Sequence, residues 1–164
     1  MKILSIIILL SAAAFLSNCR KSGSKVIRSN CDGLLADTSG TGDDAKVYMP
    51  NAFTPNGDGI NDISRPITIK IASIHFIIYD ESNTEIFSTT QLEQGWNGNV
   101  NSNSSGKYYY KIQATTITGH HIGICGDLYE LKCLPNNILS FFFEDQLTVN
   151  GFTGITHEIP ENCP

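Results

Sequence analysis

Between residues 67 and 131 the apolar positions fall in short runs rich in β-branched and aromatic side chains, each closed by a cluster of turn residues. The runs cover residues 67–71, 74–79, 85–88, 108–117 and 121–131, and residues 47–49 ahead of them have the same composition. Asp80-Glu81-Ser82-Asn83 is placed to turn the second run into the third, and Thr118-Gly119 the fourth into the fifth. Tyr108, Tyr109 and Tyr110 must alternate between the two faces of their strand, so at least one face is core. The series predicts an all-β fold, with strands spaced as in a sandwich.

Residues 51–62 break the pattern. Asn51, Pro55, Asn56, Gly57, Asp58, Gly59, Asn61 and Asp62 crowd one short stretch. Gly is entropically costly inside a helix or strand, and Asn and Asp divert backbone hydrogen bonds to their own side chains. The stretch therefore reads as a structured corner between two strands. Its alternating oxygen side chains resemble part of a calcium loop, with Asn56, Asp58, Asn61 and Asp62 as the ligand set, but the closing bidentate Glu of an EF-hand is missing. The competing reading is a corner closed by Asx turns that needs no cofactor. Further along, Gly95-Trp96-Asn97-Gly98 isolates the single Trp, either as a cap on the open end of a sandwich or as a stacking platform for sugars.

Taken together, Pro50-Asn51-Ala52-Phe53-Thr54-Pro55-Asn56-Gly57-Asp58-Gly59-Ile60-Asn61-Asp62, the strand ending at Tyr79, the Trp96 block, Gly106-Lys107-Tyr108-Tyr109-Tyr110 and a closing strand with Gly126 form an ordered string of landmarks. The string resembles the gliding motility-associated C-terminal domain of Bacteroidota, also described as the type B sorting domain of the type IX secretion system. That likeness extends over residues 47–131 and implies an immunoglobulin-like antiparallel β-sandwich. The chain departs from the family at the first hairpin, where Asp80-Glu81-Ser82-Asn83 replaces the usual Asn-Arg-Trp-Gly, and in the thirty or so residues that follow Leu131. A sorting signal of this type is read at the extreme C-terminus behind a cargo domain. The expectation here is a domain reused as a stand-alone body, exported by the Sec and lipoprotein routes. Phe141, Phe142 and Phe143 in the extension are too apolar to remain in water and should pack onto the sandwich as a strand-like addition.

Ahead of the domain, residues 1–15 pair one basic residue with an apolar run too short to span a bilayer, which is the composition of a secretory leader. Leu16-Ser17-Asn18-Cys19 resembles a lipobox, although Asn18 stands where Gly, Ala or Ser is usual. Cys19 is then the lipid attachment, and the acyl chains are the route to the membrane, at about 0.8 kcal/mol per buried methylene. Arg20, where inner-membrane retention would call for Asp, implies the outer membrane, with the periplasmic face or the cell surface both open. The resulting division is a leader over 1–18, a flexible tether rich in Ser, Gly, Asp and Thr over 19–45, the sandwich over 46–133 and a packed extension over 134–164.

Cys31, Cys125, Cys133 and Cys163 remain, an even number in an oxidising compartment. Cys125 and Cys133 on one extended strand would stand roughly 26 Å apart, beyond disulfide reach. Two connectivities are left. Cys133 with Cys163 would clamp the tail and Cys31 with Cys125 would pin the tether, so that pair is preferred; zinc is disfavoured because no Cys-x-x-Cys spacing occurs. The formal net charge of −5 is an ordinary solubility charge with no basic, aromatic-interleaved stripe, so no nucleic-acid partner is expected. His120-His121 on a strand would point to opposite faces, and no nucleophile elbow, zinc-protease, phosphate-loop or dinucleotide motif is present. The expected function is non-enzymatic: an envelope lipoprotein acting as a structural or interaction module toward the secretion or gliding machinery. The alternative is a carbohydrate-binding or adhesive module built on Trp96 and exposed tyrosines.

Overall fold

A computed structural model describes residues 31–37, 42, 44–99, 105–133, 141–148 and 150–158. The leader, the attachment residue Cys19 and Cys163 lie outside the described residues. Nine strands occur in the order β1 (Lys46–Tyr48), β2 (Ala52–Phe53), β3 (Ile67–Ile69), β4 (Ile71–Tyr79), β5 (Glu85–Thr89), β6 (Gly106–Thr116), β7 (His121–Glu130), β8 (Leu147–Thr148) and β9 (Gly151–Phe152). The described chain is all-β but for a three-residue 3-10 turn at Glu144–Gln146. One sheet holds five strands in the order β2-β7-β6-β4-β5, while β1–β3 and β8–β9 form separate antiparallel ribbons.

Period-two alternation puts one side of each long strand into the core. Register aligns Phe76 of β4 with Ile112 of β6 and Ile112 with Ile124 of β7, and the flanking rows add Ile74 with Ala114 and Ile78 with Tyr110. Met49, Phe53, Ile71 and Leu128 complete the buried cluster, and Val47 of the β1–β3 ribbon packs against it from the other side. Each large side chain so buried contributes roughly 1.5–3 kcal/mol, which is why this face fixes the register. The layers are unequal, a five-stranded sheet built on the long β4, β6 and β7 against a ribbon of three-residue strands.

The strand boundaries differ from the sequence expectation in two informative places. Residues 67–71 are not one strand: Lys70 takes a positive φ of 53°, the chain leaves the ribbon there, and Ile71 already belongs to β4 with a bulge before Ser73. Ala52-Phe53, inside the stretch read as a corner, forms β2 and pairs parallel with Tyr129-Glu130, so the large sheet is mixed at this edge. Burial drives this, since Ala52 and Phe53 are both fully enclosed.

Residues 31–37, in the segment read as a tether, lie on the outer face of β6 and β7. The Cys31–Cys125 disulfide, with Cα atoms 5.5 Å apart, joins them covalently to the middle of β7. The Gln113 side chain clamps Leu35 from both directions, accepting from its N–H at 2.7 Å and donating to its carbonyl at 2.9 Å. Lys111 Nζ donates to the Asp32 carbonyl, and Asp37 N donates to the His121 carbonyl on the free edge of β7. A Cβ on Gly123 would sit 2.8 Å from the Leu35 carbonyl oxygen, so only Gly admits the strap this closely. Cys133 is also disulfide-bonded.

The Cys31–Cys125 bridge spans 94 residues of sequence. In the chain-entropy picture a loop of that length gains up to about 4–5 kcal/mol from the cross-link, with strain and residual unfolded structure reducing it. Replacing both cysteines by Ser should therefore lower the unfolding free energy by roughly 2–4 kcal/mol in a urea titration. A midpoint unchanged within error would show that the bridge adds nothing.

Candidate functional site

The corner folds on itself through its own side chains. Gly57, Gly59 and Asn61 all take positive φ, at 84°, 90° and 50°, the conformations that Gly and Asn tolerate best. Both carboxylate oxygens of Asp62 are used, accepting from Gly57 N at 2.6 Å and Gly59 N at 2.8 Å. Asn56 Oδ1 accepts from Asp58 N and Asp58 Oδ1 from Ile60 N, each a two-residue Asx turn. Asn56, Asp58 and Asp62 thus turn their oxygens toward N–H groups of the corner itself, while Asn61 Oδ1 accepts from Asp145 N of the tail. Among the described residues no group of three or more His, Cys, Asp or Glu is placed to hold a metal ion.

The end of the corner is bolted to the Trp block. Ser64 and Trp96 exchange both backbone hydrogen bonds, at 2.8 and 2.9 Å, and Gly95 lies so close to Ser64 that a Cβ there would meet its carbonyl oxygen at 2.7 Å. The indole packs between Phe53 and Tyr108, with centroids 5.4 and 4.7 Å away. Trp96 is therefore a partly buried ring packed against the core. Beside it lies a charge the sequence did not flag: Glu130 is fully buried on β7, its Oε2 accepting from Tyr108 Oη and Asn99 N and its Oε1 3.1 Å from Lys132 Nζ. Burial and the neighbouring Glu130 push the Tyr108 hydroxyl up to about 12, so it remains a donor.

Residues 141–158 dock onto the outside of the corner. Asn51 is gripped twice, its N–H donating to the Phe142 carbonyl and its Oδ1 accepting from Phe142 N. Phe143 is buried with Ala52 and Leu131 in a second small core, and Phe141 meets Tyr129 edge to face. Arg65 donates to Glu144 Oε1 through both Nε (2.9 Å) and Nη2 (2.6 Å), and Asp145 N donates to Asn61 Oδ1. Asp145 in turn accepts from His157 N and Thr156 Oγ1, and Asn56 Nδ2 reaches Glu158 at 3.4 Å. Arg65 and Glu144 are 79 residues apart, so no local pattern in the sequence could have paired them.

The junction gathers negative charge. Glu158 is only 7% exposed, and burial, followed by the charges of Asp58, Asp145 and Asp62, pushes its carboxyl above the ordinary 4.5, against a downward pull from a Thr54 hydrogen bond. At the far end of the domain Asp37 is held below its ordinary value, first by the His121 backbone N–H and then by His120. His120 and His121 face this one carboxylate, His121 through its main chain.

A disulfide-pinned sheet domain with a side-chain-closed corner is a module of the kind that works outside the cytoplasm. Residues 47–124 match the family model described as CHU_C Type IX secretion signal domain. The protein is accordingly related to type IX sorting domains and is one of the cell envelope or of the secreted set. No curated protein and no solved structure matches the chain. The match takes in the ribbon, the corner, the Trp block and most of the large sheet, while the strap at 31–37 and the docked tail at 141–158 lie outside it.

Two outcomes follow from this geometry. Gly95→Ala should cost roughly 1–3 kcal/mol in chemical denaturation, because the methyl would meet the Ser64 carbonyl oxygen as well as the Ile63 and Arg65 side chains, and the backbone oxygen cannot swing aside. A raised carboxyl value means that the folded protein holds the proton more tightly than the unfolded chain. The stabilisation from Glu158 is therefore present below the unfolded value and lost as pH rises through the folded one. Amide exchange in residues 141–158 should slow as pH falls from neutral toward about 5, after correction for intrinsic rates, and Glu158→Gln should flatten that dependence. Identical profiles for wild type and Glu158→Gln would rule out this carboxyl as the source.

Proposed function

We propose that the protein is a non-enzymatic lipoprotein of the bacterial outer membrane, attached through Cys19, that presents its signal-type domain as an interaction module toward an envelope protein of the secretion or gliding machinery. The observation that carries this reading is the family match at 47–124 combined with the tail packed over the family's own corner. A domain whose corner is covered by added chain is suited to work as a folded body, with the partner meeting the composite surface. The interaction reading is favoured over sugar binding because Trp96, the ring on which a sugar platform would depend, is already engaged by Phe53 and Tyr108. The leader and lipobox resemblance at residues 1–19 supports membrane attachment.

Cys19→Ala should move the protein from the membrane fraction to the soluble periplasmic fraction. A variant that stays with the membrane as wild type does would overturn the anchor. Cross-linking in native envelopes followed by pull-down of the wild-type chain should recover a defined protein partner in stoichiometric yield. Recovery of glycan alone would instead favour the carbohydrate-binding alternative.

A further inference from the structure

The docked tail and the corner do not close on each other completely. Between them runs a groove of about 470 Å³, with Ile60, Ile63, Ile67 and Leu147 as its apolar lining. One wall comes from the family stretch and the other from the tail outside it, so the groove exists because the tail is docked. Ile63 is 41% exposed here, an aliphatic side chain left facing solvent in a corner otherwise made of polar residues.

The polar side of the groove is unbalanced. Arg65 is committed to Glu144, which leaves Asp62 and Asp145 with no Lys or Arg partner among the described residues. The exposed His157 ring, at 3.5 Å, is the one ionisable partner of Asp145 among the described residues, and Asp145 Oδ2 otherwise accepts from His157 N and Thr156 Oγ1. Asn61 also lines the groove; it is 8% exposed and holds the two walls together by accepting from Asp145 N through its Oδ1.

The geometry points to a docking groove for an extended peptide segment of a partner protein, one that carries a Lys or Arg beside aliphatic side chains. Such a segment meets both features: its aliphatic side chain covers Ile63, Ile67 and Leu147, and its cation balances the charge of Asp145 and Asp62. An acidic peptide or a phosphate would face the uncompensated carboxylates, and a sugar would leave the aliphatic wall uncovered. This rests on the reading of the protein as an interaction module, and it names the surface and the chemistry of the partner.

The test uses the full mature chain with its disulfides intact and two fluorescein-labelled hexapeptides whose sequences do not occur in it, Ser-Lys-Leu-Val-Arg-Ser and Ser-Glu-Leu-Val-Glu-Ser, titrated by anisotropy. The basic peptide should bind saturably and at least tenfold more tightly than the acidic one, with a difference that shrinks at high salt. Ile63→Ser removes the aliphatic contact, and His157→Arg, at a position whose side chain is 75% exposed, places a competing cation at the rim. Each should weaken the basic peptide tenfold or more, while Ile117→Ser in the turn after β6 should leave it unchanged. Equal binding of the two peptides, no saturable binding up to about 1 mM, or indifference to both groove substitutions would overturn the groove. If the same two variants still capture the envelope partner as wild type does, the groove is wrong and the interaction reading stands. If neither a partner nor a peptide binds the wild-type chain, both fail.

Discussion

The inner face of the five-stranded sheet has to be covered, and the β1–β3 ribbon is too narrow to do it alone. Ile74, Phe76, Ile78, Ile112 and Leu128 form a buried surface several strands wide, whereas the ribbon offers three residues per strand. The deficit is made up in part by Trp96 from a loop, whose ring packs against Phe53 of β2 and Tyr108 at the start of β6. Because Trp96 is also bonded main chain to main chain with Ser64, the cover and the corner are one unit. A disturbance at Gly95 is felt in both.

The corner itself is satisfied in hydrogen bonds yet rich in charge. Asp62 neutralises two glycine N–H dipoles and Asn56 and Asp58 close their own turns, so the loop keeps its shape from within. What it cannot do from within is bury Ala52 or balance its carboxylates. The tail does the first with Phe143 and adds to the second problem by bringing Asp145 and Glu158. A docked segment that increases local negative charge is held by apolar burial, by the Arg65–Glu144 pair and by the grip on Asn51, in spite of its electrostatics. The same crowding of carboxylates, after burial, raises the Glu158 carboxyl above its ordinary value.

Two segments outside the family stretch thus lie on different parts of it. The strap crosses the outer face of β6 and β7 and is tied by a disulfide; the tail covers the corner and is tied by packing. The strap bonds the edge of β7 at His121 and the tail bonds Asn51 beside β2, so each covers backbone groups at a sheet edge.

The sequence by itself determined the strand runs, because alternation and turn residues are local properties: β4 to β7 lie close to where 74–79, 85–88, 108–117 and 121–131 were read. It determined the corner and its Asx chemistry for the same reason, and its landmark string identified the family. The pairing of Cys31 with Cys125 was legible by elimination, since strand rise excluded one alternative and the preference rested on what each bridge would tie down. Tertiary structure alone decided the rest. The turn at Lys70 depends on the ribbon and the sheet competing for one chain, and β2 becomes a strand only because β7 offers an edge beside it. Glu130, Arg65 with Glu144, and the carboxylates around Glu158 acquire their environments from residues far away in sequence. Burial and charge at those positions are sums over neighbours in space, which no reading along the chain contains.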